Sequence, residues 1–184
     1  MVEPDMPVLS DLATSNSDQP ENLLGQLAEK RRVISETRET HIPVPGYDKE
    51  PPLLLARHRL LDGPEIERIG GRITREHKSR WERQINAAVE MIIISCTGMF
   101  VDVAGDGEIQ PLTFHGEPIT GFTRDLAEAL QFDDKIEDAD RARDVVFGLF
   151  ANNDAAIAQH NYVLNRWFTD TSVDVTQEFF TGNL

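Results

Sequence analysis

The run from Trp81 to Val103 constrains the fold more than any other stretch. Its apolar positions Trp81, Ile85, Ala88, Ile92, Cys96 and Met99 step by three and four residues, the spacing of one helical stripe. Val89, Met91, Ile93 and Ile94 occupy the remaining faces, so the reading is a central helix buried almost all round. Upstream, Asp62 can cap a helix whose first turn holds Pro64 and Glu65. Gly70-Gly71 is expected to bend or end that helix. Glu90, Ser95, Thr97, Gly98 and Asp102 interrupt the apolar run, which argues for a core helix and against a membrane span.

Charge narrows the classes further. The chain has 184 residues and a formal net charge of -14, spread as -5 over residues 1–50, +2 over 51–100 and -11 over 101–184. A general nucleic-acid binder is basic overall, so this balance counts against one. The single cysteine, Cys96, cannot form an intramolecular disulfide, which fits a reducing cytoplasm. Met1–Leu12 lacks the basic and apolar regions of a secretory leader.

Residues 1–19, with Pro4, Pro7, three serines and four acids, read as a disordered acidic tail. From Pro20 a helix is expected, with Leu23, Leu24, Leu27 and Ile34 as a thin apolar stripe. It is either lightly docked or completed by a partner. Thr40–Tyr47 reads as an edge strand, because Pro43 and Pro45 force extended geometry. Leu53–Leu61 alternates, with Leu54, Ala56, His58 and Leu60 on one face, and pairs with it as a hairpin. Met99–Val103 and Ile109–Leu112 flank Gly105-Asp106-Gly107, a second hairpin signal. Helices follow from Thr120 or Thr123 to Leu130, from Asp138 to Phe150, and from Asn153 or Asp154 to Asp170. The last buries Ile157, Val163, Leu164 and Trp167.

The expected fold is α+β and helix-dominated. Two short β-hairpins pack with the central buried helix and three C-terminal helices in one domain over residues 20–170, ahead of a flexible tail at 171–184.

Few residue patterns in the chain carry chemistry. The five histidines show no metal-ligand spacing, and one cysteine cannot build a zinc site alone. His115 and Glu117 are better read as an exposed loop pair than as an acid–base pair. Asp102, Asp106 and Glu108 fail the calcium-loop register and read as an acidic turn. The basic cluster Arg68–Arg83 reads as a solvated helix face first and a docking patch second. Trp81 and Trp167 are expected as core anchors and His58 as a hydrogen-bonded structural residue. No catalytic residue, cofactor site or metal site is expected. The candidate partner-binding residues are Leu23, Leu24, Leu27, Ile34, Arg72, Arg75 and Arg83.

Four pieces in order carry a family resemblance. Ile42-Pro43-Val44-Pro45-Gly46-Tyr47, Leu55-Ala56-Arg57-His58-Arg59-Leu60-Leu61-Asp62, Glu65-Ile66-Glu67-Arg68-Ile69-Gly70, and Ala139–Phe150 followed by Asn153-Asp154 and a helix ending in Trp167 are similar to the tail assembly chaperones of siphophages infecting actinobacteria. The acidic N-terminal tail and an insert around Asp133–Asp138 depart from that pattern. The resemblance implies a non-enzymatic assembly factor of the host bacterial cytoplasm, absent from the mature virion. It would bind the tape measure protein, keep it soluble, and help the major tail protein polymerise around it, without nucleic acid or membrane. It also implies self-association or association with a frameshifted longer form, whose junction would fall within Thr171–Leu184. Two rival readings are a structural virion protein, such as a head–tail connector or tail completion subunit, and a small nucleic-acid-binding regulator using Arg68–Arg83.

Overall fold

The sheet is where the two hairpins meet. In the computed structural model, which describes Gly25, residues 38–76 and residues 79–181 (side-chain surroundings over 38–73 and 79–171), β1 (Glu39–Pro43) and β2 (Leu53–Arg59) pair antiparallel with Ile42 opposite Ala56. β3 (Cys96–Asp102) and β4 (Ile109–Pro111) form the second hairpin, and β2 joins them through β3, giving a four-stranded antiparallel sheet of order β1-β2-β3-β4. The alternation in β2 survives in burial: Leu54, Ala56 and His58 face the core while Leu53, Leu55, Arg57 and Arg59 are only half-buried. β1 holds its two prolines' neighbourhood at the sheet edge, where a missing ladder donor costs nothing. A two-residue hairpin, β5 (Thr113–Phe114) and β6 (Glu117–Pro118), turns through His115 and Gly116, both at positive φ.

Two helices lie between β2 and β3. α1 (Gly63–Glu76) starts on a reciprocal cap: the Glu65 amide donates to Asp62 Oδ1 at 2.8 Å, and the Asp62 amide donates to Glu65 Oε2 at 3.0 Å. Arg59 clamps the same Glu65 carboxylate at 2.7 and 3.1 Å, and with the Asp62 amide it holds that carboxyl down to about 2. Gly70-Gly71, expected to bend or end the helix, does not end it. α1 runs through both, because Ile69 and Ile73 on its buried side tie the two halves to the core.

α2 (Arg80–Ser95) is the central helix, with Ile85, Ala88, Val89 and Ile92 buried. It is shorter than the apolar stripe suggested. The chain leaves helical geometry at Cys96, whose φ of -66° and ψ of 129° begin β3, so Cys96 and Met99 belong to a strand. Thr97 and Gly98 are weak helix formers, and the open edge of β2 offers a ladder for the next residues; tertiary pairing overrides the helical spacing. Trp81 is also corrected. It is 55% exposed in the first turn of α2 and donates its indole N–H to Asp154 Oδ2 at 2.9 Å rather than anchoring the core. Trp167 is half-buried against the core.

Ser79 caps α2: the Glu82 amide donates to its hydroxyl oxygen at 3.0 Å, and the Ser79 amide donates to Glu82 Oε2 at 3.3 Å. Ser79→Ala is expected to cost about 1 kcal/mol, read as a lowered thermal midpoint with an unchanged native spectrum.

The remaining helices are α3 (Arg124–Ala129), α4 (Ala142–Leu149) and α5 (Asp154–Thr181), with a short 3-10 turn at Asp133–Lys135. Asp138 does not open α4. Its carboxylate accepts from the Asp140 amide at 3.0 Å in a turn before the helix, while Val145, Val146, Leu149 and Phe150 are buried as their spacing requires. The inner face of α5 is Ile157, His160, Leu164 and Phe168. Val163, expected inside, is 42% exposed. α5 passes Asp170 and continues to Thr181, where a tail was expected, because residues 154–181 contain neither glycine nor proline. The strands and helices given ranges above fall within the unit Arg38–Leu184; of the helix expected from Pro20, Gly25 is described and is helical, and the other residues lie outside the described ones.

Candidate functional site

Three buried polar side chains meet where β1, β2, α2, the end of α4 and α5 converge. His58, on the inner face of β2, is fully buried; its Nδ1 lies 2.8 Å from Ser95 Oγ and its Nε2 lies 3.0 Å from His160 Nε2. His160 Nδ1 donates to the Pro43 carbonyl at 3.2 Å, and the Phe150 ring packs edge-on against His160. Ser95, the last residue of α2, also lies 2.7 Å from the Met91 carbonyl one turn back.

Burial, which disfavours the imidazolium, pushes His58 down to about 3, helped by the positive charge His160 would carry, and pushes His160 down to about 4. A serine–histidine–histidine row suggests a nucleophile, a base and an orienting group. Here Ser95 and His58 are 0% exposed and His160 is 1% exposed, so the row works as a packing node with every ring nitrogen partnered. The structural role expected for His58 is the one observed. Its partner His160 was missed, since the two are 102 residues apart in the chain.

The acidic loop also resolves into backbone support. The buried Asp102 carboxylate accepts from the Gly105 amide at 2.6 Å and the Gly107 amide at 2.9 Å, both glycines at positive φ. Among the described residues no three His, Cys, Asp or Glu side chains are arranged to hold a metal ion. His115 sits exposed on the β5–β6 turn against the Phe114 ring.

Of the residues expected to bind a partner, Leu23, Leu24, Leu27 and Ile34 lie outside the described residues. Arg72 is half-exposed and ion-paired with Glu90 of α2; with Arg68, Ile69 and Ile94 it lines a cleft of about 330 Å³. Arg75 lies in the last turn of α1, and Arg83 is half-buried in the first turn of α2. The structure therefore brings Arg72 to a cleft shared by α1 and α2.

A larger hollow of about 590 Å³ opens between the β1–β2 connection and the start of α5, lined by Tyr47, Lys49, Phe150, Asn153, Ala156 and Gln159 among others. Apart from Asp48, Lys49 and Ala151, its lining comes from the first and last of the four sequence pieces. No family model, curated protein or solved structure matches the chain.

Proposed function

We propose that this chain is a phage tail assembly chaperone that binds the tape measure protein, keeps it soluble and promotes tail tube assembly. The observation that carries the reading is the ordered set of sequence pieces from Ile42 to Trp167. The geometry is compatible with it: Pro43, His58 and Phe150, from three of those pieces, all contact the single residue His160. Pieces that look independent along the chain thus share one structural reason to occur together.

A chaperone for a long, apolar helical partner needs exposed apolar side chains and charge to hold complexes apart. Trp81 at 55%, Tyr162 at 66% and Val163 at 42% exposure supply the first on α2 and α5. The net charge of -14 supplies the second. No helix among the described residues is long and apolar enough to cross a membrane.

The proposal is tested by fractionating infected cells. The protein is expected in the lysate and absent from purified particles; a fixed copy number in every particle would instead assign it as a connector or tail completion subunit. The leucine stripe is tested separately. Leu24→Asp combined with Leu27→Asp is expected to reduce tape measure binding at least about tenfold, a loss of about 1.4 kcal/mol, with the far-UV spectrum and melting midpoint unchanged. Global unfolding of that variant would make the stripe core instead of contact edge.

A further inference from the structure

The protons of the buried row can be placed one after another. The Pro43 carbonyl only accepts, so His160 Nδ1 carries hydrogen and its Nε2 presents a lone pair. His58 Nε2, 3.0 Å away, must then carry hydrogen, which leaves His58 Nδ1 as an acceptor for the Ser95 hydroxyl at 2.8 Å. The neutral row runs in one direction, Ser95 to His58 to His160 to Pro43, and satisfies every ring nitrogen.

One added proton has a place. On His58 Nδ1 it donates to Ser95 Oγ, and the Ser95 hydroxyl turns its hydrogen to the Met91 carbonyl 2.7 Å away. A second has none: it would sit on His160 Nε2 and face the His58 Nε2–H across 3.0 Å.

We propose that the His58–His160 contact is an acid-released latch holding α5 on the sheet, closed with no added proton or one and forced open by two. The inference does not depend on the tail-assembly reading. The groups facing the pair are the Ser95 hydroxyl and Met91 carbonyl from α2, the Pro43 carbonyl from β1, and the Phe150 ring from the end of α4. From β3, Cys96 lies opposite His58 in the strand register, its thiol pushed up to about 11 by burial. Among the described residues, the charged forms acting on His58 are those of His160 and His41, His160 has none besides, and no carboxylate acts on either ring.

The sign follows from burial. Both rings titrate well below the ordinary value of 6.5 while docked, at about 3 and about 4. An undocked or unfolded chain therefore binds more protons throughout the interval from 6.5 down to those values. The latch is at full strength above pH 6.5, weakens as pH falls below it, and is lost as the docked rings themselves titrate.

Both tryptophans report on α5: Trp167 is part of it, and the Trp81 indole is bound to its first residue, Asp154. The test follows tryptophan emission of the full chain from pH 8 to pH 3. The wild-type protein is expected to change emission in mild acid, and His58→Leu/His160→Leu, apolar on both sides, to shift that midpoint down by at least about one pH unit. An unchanged midpoint in a folded double variant overturns the latch. If the double variant does not fold at neutral pH, the wild-type protein decides the matter by nitrogen NMR. A scalar coupling between the two Nε2 atoms is expected at pH 7.5 and is expected to vanish across the emission change. Its absence at neutral pH, or its persistence through the transition, contradicts the proposal.

Discussion

Ile92→Asp unfolds the protein. Ile92 is 0% exposed, in the middle of α2, on the face that also buries Ile85, Ala88 and Val89. A carboxylate placed there enters a buried cluster of apolar residues. It must either lose its hydration as a charge or take up a proton at neutral pH, and it gives up the packing of the isoleucine as well. Together these cost about 5 kcal/mol or more, comparable with the whole stability of a domain of this size. The expected readout is loss of the cooperative thermal transition and of most helical ellipticity at 25 °C. A variant that melts cooperatively near the wild-type temperature would mean that α2 is not central.

The second large effect is at Gly148. It lies inside α4, where glycine is ordinarily a poor choice, yet a side chain has no room. A β-carbon built there would come within 2.8 Å of Phe132 Cδ2 and 2.9 Å of Cε2, and would overlap Ile136 Cγ2. Phe132 is itself buried, and both contacts come from the segment linking α3 to α4, so neither can retreat without unpacking that segment. Gly148→Val is expected to destabilise by about 3 kcal/mol despite the gain in helix propensity, measured by urea unfolding. A neutral or stabilising result would show that the 3-10 turn and its flanks are not packed on α4.

Local signals carried much of this fold and missed what depends on distance. The hairpins were readable because alternation in Leu54–His58 and a Gly-Asp-Gly turn are short-range events. Cys96 was misplaced because it continues the helical step from Ile92, while the hairpin signal marked the strand only from Met99; the pairing of β3 with β2 moves the boundary back to Cys96. The Ser79 cap was legible as a serine followed three residues later by Glu82, but reading Arg68–Arg83 as one solvated helix face left no helix start there for a cap to mark. Trp81 was misjudged because it opens its helix, beyond the reach of the sheet. The His58–His160 node had no local signature at all. His58 fits an inward strand position and His160 an inward helix position, and nothing in either periodicity says that the two rings meet. The leucine stripe at Leu23–Ile34 rests on its spacing alone.

Co-expression of this chain with a siphophage tape measure protein, scored by how much of that partner becomes soluble and co-purifies, is the decisive measurement for the proposed function. The tape measure protein is expected to move from the pellet to the supernatant and to carry many copies of this chain with it. A tape measure protein that stays in the pellet, with none recovered on this chain, contradicts it.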